Sequence, residues 1–120
     1  AEKVQRIAAD LPELQVINGP KSGRLLVVGW GGTYGHILSA VREIGDSVSY
    51  AHFDFIVPLP SNTEDVLKSF DKVLVCELNS GQFADYLRAK FQHVEILKYN
   101  KIQGQPFLVS ELVDAIRKEM

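Results

Sequence analysis

A chain of 120 residues, 46% hydrophobic and 23% charged, with a net charge of -2, is long enough for one domain with its own core. It has no basic block and no basic–aromatic stripe, which argues against nucleic acid as a partner, and its apolar runs fall far short of a membrane span. The one cysteine, Cys76, excludes an internal disulfide and any cysteine-built metal or iron–sulfur site made by this chain alone, and a reducing, cytoplasmic compartment fits.

The N-terminus EKVQRIAAD is charged and lacks a signal-peptide pattern. With no initiator methionine, the chain is expected to be a piece of a longer protein. Val4, Ile7, Ala8 and Leu11 share one helical face, and Pro12 stops that helix. Residues 14–17 suit a short strand and NGPKSG a turn. Residues 1–22 therefore read as a lead-in helix and linker from an upstream domain, with the domain proper over 23–120.

From there strands and helices alternate. RLLVVG (24–29) is continuously apolar, as a strand buried on both faces must be. YGHILSAVREIG follows as a helix with Ile37, Leu38, Val41 and Ile44 on one face, ended by Gly45. VSYAHFDFIV (48–57) is a second strand, closed by PLP. Asn62 or Thr63 is expected to cap a helix reaching Phe70, with Glu64 and Asp65 against its positive end. KVLVCEL (72–78) is a third strand, with Cys76 as a buried structural thiol. GQFADYLRAKF (81–91) is a third helix with Phe83, Tyr86 and Leu87 inward, and HVEILKY (93–99) a fourth strand. After the loop NKIQGQPF, a last helix starting near Ser110, with that serine as its cap and the acid Glu111 in its first turn, buries Leu112, Val113 and Ile116. This order predicts an α/β fold: a three-layer α/β/α sandwich around a mainly parallel sheet.

The turn GWGGTYG invites a phosphate. The dinucleotide fingerprint wants glycine at its first, third and sixth positions; Gly29 and Gly31 comply, but the sixth is Tyr34. No Gly-Lys-Ser/Thr follows, which excludes a P-loop. Asp54, near the end of the second strand, is placed where a ribose-binding acid would sit, so a free-standing nucleotide- or small-ligand-binding module is the alternative reading. The simpler account is a tight strand-to-helix turn with Thr33 as helix cap.

In a parallel sheet the loops after successive strands gather at one edge. Here they carry Trp30, Gly31, Gly32, Thr33, Tyr34, Glu77, Asn79, Gln82, Gln103 and Gln105, which makes that edge the candidate interface or ligand surface. Trp30 in a loop asks for something to pack against. The catalytic inventory is thin: His36, His52 and His93 lack metal-ligand spacing, no carboxylate pair or G-x-S-x-G stands out, and Glu77 is the one acid–base candidate, more simply read as a hydrogen-bonded loop carboxylate. No catalytic or metal residue is assigned.

Taken together, GWGGTYG, PLP-N-TE, E-N-GQ and K-QG-PF resemble the C-terminal domain of the alpha subunit of 2-oxoacid:ferredoxin oxidoreductases, most like the 2-oxoglutarate branch. The resemblance covers nearly the whole chain. It implies a transketolase C-terminal-like fold within an enzyme that converts a 2-oxoacid and coenzyme A to acyl-CoA and carbon dioxide and reduces ferredoxin. It implies thiamine diphosphate, magnesium and iron–sulfur clusters for the whole enzyme, held chiefly by the beta subunit, and none bound by this domain. The expected partners are the rest of the alpha subunit and the beta subunit, with ferredoxin through the complex and neither nucleic acid nor membrane. The isolated domain is expected to be inactive, and a pyruvate or branched-chain branch of the family is a further alternative.

Overall fold

In the computed structural model, residues 12–54, 58–78, 81–101 and 105–120 are described. The lead-in helix expected over 3–11 lies outside them.

Alternation of side chains along the strands builds two cores back to back, one on each face of a single sheet. The strands are β1 (Val16–Ile17), β2 (Gly23–Trp30), β3 (Ser49–Phe53), β4 (Phe70–Leu78) and β5 (Ile96–Lys101), in the spatial order β1-β3-β2-β4-β5. β2 pairs in parallel with both β3 and β4, and β4 with β5; only β1 runs antiparallel, against β3. The register sets Val27 beside Tyr50 and Leu74, and Val75 beside Lys98. The described end of the lead-in is thus built into the sheet as its outermost strand.

On one face Leu26, Val28, Phe53, Val73 and Val75 meet the helices α2 (Thr63–Lys68) and α3 (Gln82–Lys90). On the other, Leu25, Val27, Tyr50, Leu74 and Cys76 meet α1 (Tyr34–Ile44) and α4 (Val109–Glu119). The expected sandwich with a mainly parallel sheet is therefore present. Ile37 and Val41 of α1 and Leu112, Val113 and Ile116 of α4 are buried as their periodicity predicts.

Several local expectations are corrected. Tyr86 is 38% exposed, and Ala84 takes the inward place beside Phe83 and Leu87; Tyr86 lies over the flank, stacked on Phe83 with the Lys90 ammonium above its ring. The last strand starts at Ile96 rather than His93, because the chain first turns, with the Val94 amide donating to the Phe91 carbonyl at 3.1 Å. The α2 helix ends at Lys68, since Phe70 is drawn into β4 opposite Gly23. Asn62 does not cap α2 with its side chain. Its amide grips the backbone of Leu14, accepting from the amide at 2.7 Å and donating to the carbonyl at 2.9 Å. Ser110 lies inside α4; the helix start is closed by Glu111, which accepts the Leu108 amide at 3.0 Å.

Candidate functional site

Chain direction changes around β2: the chain leaves it to form β3 on one side, then crosses to β4 on the other. In such sheets the crevice between the carboxyl ends of those strands is the usual ligand position. Here that crevice lies between the ends of β2 and β4, and its contents are Trp30 and Glu77.

The glycine turn does not shape a phosphate cradle. Residues Gly31–Thr33 form a single 3-10 turn that leads directly into α1. Gly31 has φ +65°, which is why it is glycine. Gly29 serves packing: a Cβ there would lie 2.4 Å from Ile37 Cδ1 and 3.3 Å from the Tyr50 hydroxyl. The close helix–strand approach that the dinucleotide fingerprint assigns to its last glycine is made here by Gly29. Thr33 is buried at the helix start but does not cap it with its side chain; its hydroxyl donates back to the Trp30 carbonyl at 3.0 Å.

The only carboxylate buried among the described residues, Glu77, is 2% exposed at the end of β4. One oxygen accepts the indole N–H of Trp30 at 3.1 Å and the amide of Phe83 at 3.0 Å; the other accepts the amide of Ala84 at 2.9 Å. Those amides belong to the first turn of α3, whose N-cap, Gly81, has no side chain to offer. A strand-borne carboxylate therefore caps the neighbouring helix and sits where an anion would otherwise bind. Three of the roughly four lone-pair positions of the Glu77 carboxylate are taken by these donors, the arrangement that the hydrogen-bonded reading expects. Trp30 is half-buried against Phe83, with ring centroids 6.0 Å apart, and is anchored at both its ring and its nitrogen.

Tyr34 faces the other side of the turn. It is 45% exposed and meets the His52 ring edge-on at 5.1 Å. The Tyr50 hydroxyl and His52 Nδ1 share a hydrogen bond of 2.7 Å. Burial lowers the His52 pKa below its ordinary value, against the smaller opposing effects of Asp54 and the Gly31 backbone. Burial, then the neighbouring Tyr34, pushes the Tyr50 hydroxyl well up. The hydroxyl thus donates and a neutral imidazole accepts. Tyr34, His52, Asp54 and Gly31 line a cleft of about 540 Å³, closed opposite by Glu13, Gln15 and Pro60.

Of the residues the sequence singled out, the fold brings Trp30 and Glu77 together with the start of α3, and Gly31 and Tyr34 together at the cleft. Gly32 is exposed, as are Gln82 at the first position of α3 and Gln105 ahead of α4. Asn79 and Gln103 lie outside the described residues. Sequence reasoning missed the Tyr50–His52 pair. Their i, i+2 spacing on a strand places them on one face and is the signal that could have found them. Cys76 is buried, its thiol pushed up to about 12 by desolvation and then by Glu77, as a structural thiol should be. Among the described residues no group of three or more His, Cys, Asp or Glu side chains converges on a metal position, and no helix is long and apolar enough to cross a membrane.

No family model matches the chain. The chain is 37% identical over 110 residues, 89% of its length, to the 2-oxoglutarate oxidoreductase subunit KorA of Mycobacterium tuberculosis, and spans 17% of that subunit. Among solved structures it superposes with a TM-score of 0.82 on a chain of the 2-oxoglutarate:ferredoxin oxidoreductase from Magnetococcus marinus, which has 2-oxoglutarate, coenzyme A and succinyl-CoA bound. That match is 22% identical and covers 92% of this chain and 20% of the other. A split-gene transketolase, an inactive beta4 tetramer, matches at TM-score 0.65 and 12% identity over 89% of this chain and 41% of its own. The chain is a homologue of one segment of a 2-oxoglutarate oxidoreductase subunit and has a transketolase-like α/β fold, as the sequence resemblance implies.

Proposed function

We propose that the chain is the C-terminal structural and interface domain of the alpha subunit of a 2-oxoglutarate:ferredoxin oxidoreductase. The whole enzyme, on this reading, works in the cytoplasm and oxidatively decarboxylates a 2-oxoacid with coenzyme A, giving acyl-CoA and carbon dioxide and reducing ferredoxin. The observation that carries this is the 37% identity to KorA across 89% of the chain. The fold shared with the Magnetococcus marinus enzyme supports it. The division of the chain near residue 22 belongs to the same reading, with the adjustment that Val16–Ile17 already pair into the sheet.

Thiamine diphosphate, magnesium and iron–sulfur clusters are the cofactors of the proposed enzyme, and the described residues do not fit them. The start of α3, the natural seat for a diphosphate at the switch of the sheet, is filled by the Glu77 carboxylate, whose charge repels one. Cys76 is buried in the sheet and has no thiolate to offer a cluster. The cofactors are therefore assigned to the rest of the enzyme. This domain contributes rigidity and a contact edge, where Tyr34 and Gln82 are exposed and Trp30 is braced from behind.

The test is reconstitution of the full-length subunit with its partner, followed by ferredoxin reduction that requires both 2-oxoglutarate and coenzyme A. Gln82→Ala in that complex is expected to weaken assembly or turnover without lowering the melting temperature, since the side chain is at the surface. Trp30→Ala is expected to lower both, because it also releases Glu77. A complex with no such activity would remove the enzyme reading. Unchanged assembly and turnover in both variants would remove the interface role.

A further inference from the structure

The cleft beside Tyr34 has a chemistry that neither core packing nor the Glu77 cap uses. Its described walls carry two exposed carboxylates, Glu13 and Asp54, and no lysine or arginine. Neither carboxylate makes an ion pair with a described residue. The floor is aromatic: Tyr34, nearly half exposed, braced edge-on by His52, which is fixed in turn by the Tyr50 hydroxyl. Burial lowers the His52 pKa, so a positive charge on that ring is disfavoured. A half-exposed tyrosine ring sharing a cleft with two carboxylates that have no ion-pair partner among the described residues suits a planar cation. The face attracts it through the ring quadrupole, and the carboxylates accept its N–H groups.

Resting on the reading of this chain as an interface domain, we propose that the cleft receives an arginine side chain from the enzyme's other subunit. Arginine fits better than lysine, because a guanidinium stacks on a ring and presents several donors in one plane, where an ammonium is a compact point charge. The position agrees: Gly31 and Tyr34 belong to the same loop edge that carries Trp30, so the cleft continues the contact surface. Asp54 is then a specificity element of assembly and takes no part in the reaction.

The experiment uses full-length subunits prepared separately and mixed across a series of salt concentrations. Asp54→Asn is expected to weaken association about tenfold and to flatten its salt dependence, as loss of a charged contact requires. Tyr34→Leu is expected to weaken association several-fold while leaving the salt slope in place, since it removes the stacking face and no charge. Asp114→Asn, a surface carboxylate on α4, is the control and should change neither. Phenylglyoxal modification with peptide mapping adds an independent readout: one arginine of the partner should be protected in the wild-type complex and reactive in the Asp54→Asn complex. Wild-type affinity and salt slope in both cleft variants, or no arginine whose protection depends on Asp54, would overturn the proposal. So would a change in self-association of the full-length subunit in place of a change in subunit pairing, because the occupant would then be a second copy. An active complex indifferent to Asp54 and Tyr34 removes this inference alone; failure to form any complex with 2-oxoglutarate-dependent activity removes the interface reading with it.

Discussion

A carboxylate taken out of water must find hydrogen-bond donors, and Glu77 finds three of them across two elements. Glu77→Ala strands two amides and an indole N–H, each worth about 1–3 kcal/mol when left unpaired and buried; partial relaxation makes a loss of about 2–4 kcal/mol the expected result by urea denaturation. Glu77→Gln keeps one accepting oxygen but turns an amide NH2 toward an N–H donor, so its loss should be smaller but still clear. The chain has a single tryptophan, so the emission of Trp30 reports the same site and should shift to longer wavelength in both variants. A residue-level reading of ELNSGQ could place an acid at a strand end. It could not show that α3, starting on Gly81, has no cap of its own and must borrow one from the neighbouring strand. That partnership spans six and seven residues and depends on how the loop folds back. At His52 the charge state also enters stability. Its folded pKa lies below the ordinary value of 6.5, so the unfolded chain binds the proton more readily. Stability should therefore fall as the pH drops from about 6.5 toward the folded pKa and level off below it. His52→Gln, which does not titrate, should flatten that slope in urea midpoints measured across the range.

Elements whose pattern was continuous were legible and elements whose limits depend on a neighbour were not. The strands RLLVVG and KVLVCEL and the inward faces of α1 and α4 follow directly from runs and periods in the sequence. The β5 strand began three residues late because the end of α3 needs a turn, and because Arg88 reaches over to hold the Ile96 carbonyl with Nε at 2.9 Å and Nη2 at 2.6 Å. Caps failed at Thr33, Asn62 and Ser110 for one shared reason: each polar side chain or helix start has a better partner elsewhere. GWGGTYG is a tight strand-to-helix turn, as its glycines suggest, and its closest packing is at Gly29, inside the strand. Gly29→Ala drives a Cβ against Ile37 Cδ1, and because Ile37 is fully buried the expected cost is about 1–3 kcal/mol. Ile37→Val alone removes that methyl and should cost about 0.5–1.5 kcal/mol. Combined, the two changes should cost less than their sum, and strict additivity in a double-mutant cycle would show that the glycine is not there for this contact.

At the scale of the whole molecule, the sheet is the part that opens last. The β4 strand lies between β2 and β5, with a core on each face, and Cys76, near its carboxyl end, is fully buried. Local fraying of β1 or of the helix ends leaves that thiol covered, so only cooperative unfolding should expose it. Its raised pKa adds a chemical barrier, since the thiolate is the reactive form. Cys76 should therefore label with a thiol reagent at a rate set by the fraction of molecules globally unfolded, and rise with urea along the same slope as global unfolding. The Glu77 substitution then gives an internal check. If Glu77→Ala costs about 3 kcal/mol, labelling of Cys76 should quicken by about two orders of magnitude, each 1.4 kcal/mol being a factor of ten. A rate that rises far less would mean that the thiol is reached by local opening of β4. The crevice between β2 and β4 would then be a flexible seam, where the proposed interface role requires a rigid one.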